Sequence, residues 1–146
     1  REAASELLSE HGISSEVWSV TSYGELRRKG LEHERSRRLN PKISGEPYVS
    51  RCFGDETPTV ATSDYICSVP EMIQRWIGGR YIVLGTDGFG RSDTREALRS
   101  FFEIDTNSIV VAAISALEQE GTLPSGTVEK ELEKRNLNKE RIDKTE

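Results

Sequence analysis

The run Arg80-Tyr-Ile-Val-Leu-Gly85 passes without a break into Thr86-Asp-Gly-Phe-Gly-Arg-Ser-Asp93, and Ala97, Leu98, Phe101 and Phe102 follow at helical spacing. An unbroken apolar run bounded by glycine predicts a strand buried on both faces. The glycines predict a tight turn, and the spacing behind them predicts a helix with one narrow apolar stripe. Strand, glycine turn and helix in that order form the repeating unit of an α/β domain with a largely parallel sheet, and ligands of open α/β sheets bind at such turns.

Working outward, Thr59-Val-Ala-Thr-Ser-Asp64 reads as the preceding strand. Ser68-Val-Pro-Glu71 reads as a capping box in front of Met72, Ile73, Trp76 and Ile77 at helical spacing. Farther upstream, Glu16-Val-Trp-Ser-Val-Thr-Ser22 reads as a strand by its β-branched and aromatic content. Ser22-Tyr-Gly-Glu25 is a capping box that opens a helix through about His33, and Arg37 to Glu56, with two prolines and two glycines, reads as an irregular excursion. Downstream, Asp93 with Glu96 three residues on marks the start of the helix carrying Ala97 and Phe101. Asp105 or Thr106 caps a helix from Ile109 to Glu120, closed by Gly121. Its first half, Ile109-Val-Val-Ala-Ala-Ile114, is apolar all round and needs cover on more than one side, expected from the sheet and from a second subunit or domain. Thr127 to Arg135 is a last short helix held by Val128 and Leu132, and 136–146 is a charged tail. The chain opens inside a helix, Glu2-Ala-Ala-Ser-Glu-Leu-Leu-Ser, without methionine, so a fragment whose first native strand lies upstream of Arg1 is the expectation.

A length of 146 residues suits one domain, here 1–146. A net charge of −5 repels phosphate backbones, so nucleic acid is not an expected partner. Mean hydropathy is −0.59, and the longest apolar run, Ile109 to Ile114, falls well short of a bilayer span, so no membrane is expected either. Cys52 and Cys67 lie fifteen positions apart, with no CxxC and no histidine pair beside them. Reduced thiols and a cytoplasmic location follow as expectations.

The glycine turn is the sharpest candidate for chemistry. Gly88-Phe-Gly90-Arg91-Ser-Asp93 approaches the dinucleotide fingerprint until its last position, where an aspartate replaces the required small residue. Asp87 and Asp93 place carboxylates where a phosphate needs donors. The turn Gly85, Asp87, Gly88, Phe89, Gly90, Arg91, Asp93 is therefore read as architecture or interface. Gly88 and Gly90 are expected in conformations that a side chain penalises, and Asp93 as a helix cap. Phe89 is expected to be buried in this domain or pressed into a neighbouring one. Asp64 and Asp87, at the ends of two strands, could pair for acid–base work or a magnesium site, although loop carboxylates accepting backbone donors explain them as well. His11 precedes Gly12 at a helix end, His33 sits in a charged run, and neither has triad partners. Arg27 to Lys29 and Arg35 to Arg38 are interleaved with glutamates, as on a solvated helix face, and Trp18 and Trp76 read as core aromatics.

Several of these segments together resemble the C-terminal domain of the homodimeric bacterial pyruvate dehydrogenase decarboxylase component, a transketolase C-terminal-like domain. They are Glu16 to Ser22 with Glu25-Leu-Arg27, Pro47-Tyr-Val49, Asp64-Tyr65, Leu84 to Arg95, Phe102-Glu-Ile-Asp105 and Val110-Val-Ala-Ala113. Thr62 stands where that family often has alanine. The resemblance implies a three-layer α/β/α sandwich around a mixed, mostly parallel five-stranded sheet. It also implies a parent enzyme that uses thiamine diphosphate and magnesium to decarboxylate pyruvate and acetylate the lipoyl group of the dihydrolipoyl acyltransferase component. The cofactor motif of that family matches no position here, so no catalytic, cofactor or metal residue is expected, and the isolated fragment is expected to be inactive. A structural, dimer-stabilising domain contacting its own upstream domains and a second copy is the leading expectation. A small phosphate- or nucleotide-binding module and a docking module for the acyltransferase are the alternatives.

Overall fold

A computed structural model describes residues 1–137, and most of the tail expected over 136–146 lies outside the described residues. The elements in order are α1 (Glu2–His11), α2 (Tyr23–Leu39), α3 (Tyr48–Phe53), β1 (Thr59–Thr62), α4 (Ser68–Glu71), a 3₁₀ turn (Gln74–Trp76), β2 (Tyr81–Leu84), α5 (Arg95–Phe101), α6 (Thr106–Gln119) and α7 (Thr127–Lys134). The class is α/β. Among the described residues the sheet consists of β1 and β2, which pair in parallel with Thr59 opposite Tyr81 and Thr62 opposite Leu84. A parallel pair needs a crossover, and α4 with the 3₁₀ turn supplies it.

The segment 16–22 is not a strand: its backbone is irregular, and Val17 and Trp18 are 59% and 52% exposed. Strand propensity expresses packing on a neighbouring strand, and no described segment pairs with this one. Trp18 therefore leaves the core, meeting the edge of Phe53 with ring centroids 5.2 Å apart and donating Nε1–H to Glu16 Oε2 at 3.2 Å. Trp76 does take a core position, packed with Val49 and Ile73 and bordered by Tyr23, Leu26 and Tyr81. β2 is half-buried along its length rather than covered on both faces, because one neighbouring strand and α6 do not enclose it.

Ser22 caps α2 as expected, its Oγ accepting the Glu25 N–H at 3.2 Å, and the helix runs on to Leu39. The excursion behind it contains α3, with Val49 fully buried. The Ser68 capping box does not form. Cys67 occupies the N-cap without a side-chain bond, and α4 gives way after one turn to the 3₁₀ turn. Asp105 caps α6 through the Ser108 N–H at 2.8 Å.

Arg95–Gln119 is long and apolar enough to cross a membrane by length and composition alone. Its backbone breaks, however, at Glu103, where φ is +56°. α6 packs instead on α1, α7 and both strands, and Val110 and Ile114 are fully buried in a cluster with Ala3 and Leu7. Helices of the same chain thus supply part of the cover expected over this stretch, while Ile109, Val111, Ala112 and Ala113 stay half-buried.

Candidate functional site

The glycine turn leaves β2 at the sheet end where β1 also stops, and the loop after β1 grips it. Ser63 donates its N–H to the Leu84 carbonyl at 3.0 Å, and Thr86 donates its N–H to the Tyr65 carbonyl at 3.0 Å. The Thr86 hydroxyl donates to the Asp64 carbonyl at 2.8 Å, and the Cys67 N–H donates to Asp87 Oδ1 at 3.0 Å. A Cβ on Gly85 would lie 2.7 Å from the Tyr65 carbonyl oxygen, so only glycine lets the two strand ends approach this closely. Gly88 has φ +106°, as expected, whereas Gly90 is not in the left-handed region and has open space around it.

Beyond Gly88 the turn projects outward. Phe89 is 77% exposed, so burial within this domain does not occur. Asp93 is not the helix cap. Its Oδ1 accepts the Thr94 N–H at 2.8 Å, while Thr94 caps α5 by accepting the Ala97 N–H at 3.2 Å. The helix therefore begins one residue later than the Asp-x-x-Glu spacing of 93–96 predicts. The Arg91 guanidinium lies 4.8 Å over the Phe101 ring. Arg91, Arg95 and Arg99 line an open cleft of about 580 Å³ with Asp64, Asp93 and Phe102.

The Asp64 carbonyl and the Asp87 carboxylate each accept a hydrogen bond that holds the turn in place. Burial and the neighbouring Asp87 carboxylate push the Cys67 thiol up to about 11, which keeps it protonated and poorly nucleophilic near neutral pH. His33 Nε2 meets the Gly45 carbonyl at 3.2 Å.

A second constellation was not foreseen. Glu10, His11 and Glu131 place their ligating atoms within 4.8 Å of one another. Arg135 reaches Glu6 at 2.8 Å, Glu131 at 2.9 Å and Glu10 at 3.0 Å, and Lys134 reaches Glu10 at 2.6 Å. The signal available was the i,i+4 spacing of Glu6 with Glu10 and of Glu131 with Arg135, which places each pair on one helix face. Those carboxylates are already engaged by two cations, so this donor set does not suit a magnesium ion. Thiamine diphosphate needs donors for its pyrophosphate, and the glycine turn instead presents Asp87 and Asp93. Neither the turn carboxylates nor the engaged Glu10–Glu131 cluster suits that cofactor with its metal.

The described residues thus form a two-strand α/β unit with a backbone-bonded glycine turn at its sheet end. The chain belongs to the transketolase-like TK C-terminal domain family, whose model matches residues 1–105. It is 43% identical over 143 residues to the pyruvate dehydrogenase E1 component of Pseudomonas aeruginosa, covering 96% of this chain and 16% of that protein. The counterpart of Mycobacterium tuberculosis is 45% identical over 123 residues, with 83% and 13% covered. That of Escherichia coli is 40% identical over 144 residues, with 97% and 16% covered. The chain thus spans about one-seventh of the length of these relatives.

Proposed function

We propose that this chain is the C-terminal domain of a pyruvate dehydrogenase E1 component and serves that enzyme as a structural, dimer-stabilising domain rather than as a source of catalytic groups. In this reading the whole enzyme uses thiamine diphosphate and magnesium, decarboxylates pyruvate and acetylates the lipoyl group of the dihydrolipoyl acyltransferase component, in the cytoplasm. The name shared by relatives of 40–45% identity supports the activity. The backbone N–H groups that Asp87 and Asp93 accept at the turn support the scaffold role. The observation that carries it is Phe89, 77% exposed at the tip of a turn whose base is fixed by four hydrogen bonds. A rigidly presented aromatic side chain is suited to an interface. The residues Gly85, Asp87, Gly88, Phe89, Gly90, Arg91 and Asp93 then act as an interface turn. We further propose a single domain over 1–146, since Val110 and Ile114 of α6 share one buried cluster with Ala3 and Leu7 of α1.

The test is Phe89→Ala in the full-length enzyme. The dimer dissociation constant should rise roughly tenfold, about 1.4 kcal/mol, while pre-steady-state decarboxylation by the remaining dimer is unchanged. Loss of that rate in a folded dimer would show that the turn reaches the reacting centre. Calorimetric titration of the 146-residue chain with thiamine diphosphate and magnesium should show no saturable binding tighter than about 100 μM.

A further inference from the structure

We infer that the face led by Phe89 docks across the dimer interface onto an acidic surface of another domain in the second copy of the full-length protein, with Arg91, Arg95 and Arg99 meeting carboxylates around an apolar socket for the phenyl ring. The inference rests on the reading of the turn as an interface and adds the chemistry of what it meets.

Phe89 stands out at 77% exposure, and the three arginines flank it along one cleft with Phe102 and Ile104 beneath. Among the described residues none of the three arginines has an ion-pair partner within 4.0 Å, whereas Arg28, Lys29, Arg75, Lys134 and Arg135 all do. Stacking on Phe101 holds the Arg91 guanidinium at the cleft and leaves its donor edge unused. An aromatic anchor ringed by arginines is the composition enriched at protein interfaces. A small polyanion fits less well. Asp64 and Asp93 line the same cleft and would repel it, and all three arginines are exposed rather than enclosing a pocket. On a protein surface those two aspartates can meet cations at the rim. The partner is another domain of the second copy because the turn is read as part of the dimer interface and 84–87% of the length of the matched relatives lies outside the part this chain covers.

Hydrogen exchange of residues 85–93 in the full-length protein tests the proposal. The turn should be protected at about 0.05 M salt and open roughly tenfold faster at about 1 M, where the screening length falls to about 3 Å. Arg95→Glu combined with Arg99→Glu should open it to the same extent at low salt, and the milder Arg95→Gln with Arg99→Gln should open it partway with an unchanged melting temperature. Arg37→Glu with Arg38→Glu, on the far end of α2, should leave it protected. If Phe89→Ala opens the turn while salt and the arginine variants do not, the interface is apolar and the acidic partner is wrong, although the interface reading survives. If Phe89→Ala has no effect either, both readings fall. Protection that appears only on adding inorganic pyrophosphate would replace the docking surface with a small-anion site.

Discussion

Gly30 shows how one position on a helix fixes the core beneath it. It lies on α2 against Trp76, and a Cβ there would sit 2.5 Å from the indole ring. The indole is also tethered on that side, where Nε1 donates to Glu34 Oε1 at 2.9 Å, so the ring cannot slide away without breaking that bond. Gly30→Ala should therefore destabilise the chain by about 1–3 kcal/mol, even though alanine is the better helix former. Urea unfolding measures this, and a stabilised variant would mean that the ring moves freely. Which tryptophan would occupy such a site was only half legible. Trp76 follows Ile73 at helical spacing and is buried, whereas Trp18 has the same apolar bulk and is exposed. Its burial depends on a neighbour that the local sequence does not encode. Phe89 fell to the same ambiguity, since a large apolar side chain looks alike whether a core or an interface takes it.

At the level of elements, caps were legible where side chain and backbone lie within one turn of each other. Ser22 and Asp105 cap their helices as their spacing requires. Ser68 does not, because Pro70 and the crossover to β2 shorten α4 to one turn. At α5 the true cap is Thr94, so Thr94→Ala should lower stability by about 1 kcal/mol and Asp93→Ala by less, read as thermal midpoints of the two variants. Equal losses would return Asp93 to the role the sequence suggested.

A longer-range cap joins two helices. Glu118 of α6 accepts the N–H groups of Gly126 at 2.9 Å and Val128 at 2.8 Å at the start of α7. The Val128 bond first, then that of Gly126, holds the Glu118 carboxyl below its ordinary 4.5. Only the ionised form is favoured by the fold, so its contribution is complete above about pH 4.5 and is lost as pH falls through the lower folded value. Glu118→Gln should melt earlier than the unaltered chain at pH 7, and the gap should close toward pH 3. A gap independent of pH would assign the effect to packing. No sequence rule would have paired Glu118 with Val128, because the partner is a backbone group ten residues away, set by the turn between the helices.

At the scale of the whole described fold, α1 is joined to the end of α7. The family match stops at residue 105, yet α6 and α7 complete the core that α1 begins. Arg135 concentrates that closure, reaching Glu6 and Glu10 on α1, Glu131 on its own helix and Asn107 Oδ1 on α6 at 2.7 Å, with a side chain only 7% exposed. Burying a guanidinium costs solvation, which these carboxylates and the amide offset together. Removing it leaves the Glu131 carboxylate, also 7% exposed, without its closest cation. Arg135→Ala should thus cost about 3–5 kcal/mol in urea unfolding, far more than an exposed ion pair such as Lys29 with Glu32. The partner of that experiment is the apolar replacement Glu131→Leu with Arg135→Met, which removes both buried charges at once. It should recover most of the loss, because what destabilises the single variant is the stranded carboxylate rather than the missing attraction. If the double variant unfolds as easily as Arg135→Ala, the bonds to Glu6, Glu10 and Asn107 carry the closure instead, and α1, α6 and α7 are joined by arginine's donor geometry rather than by charge balance.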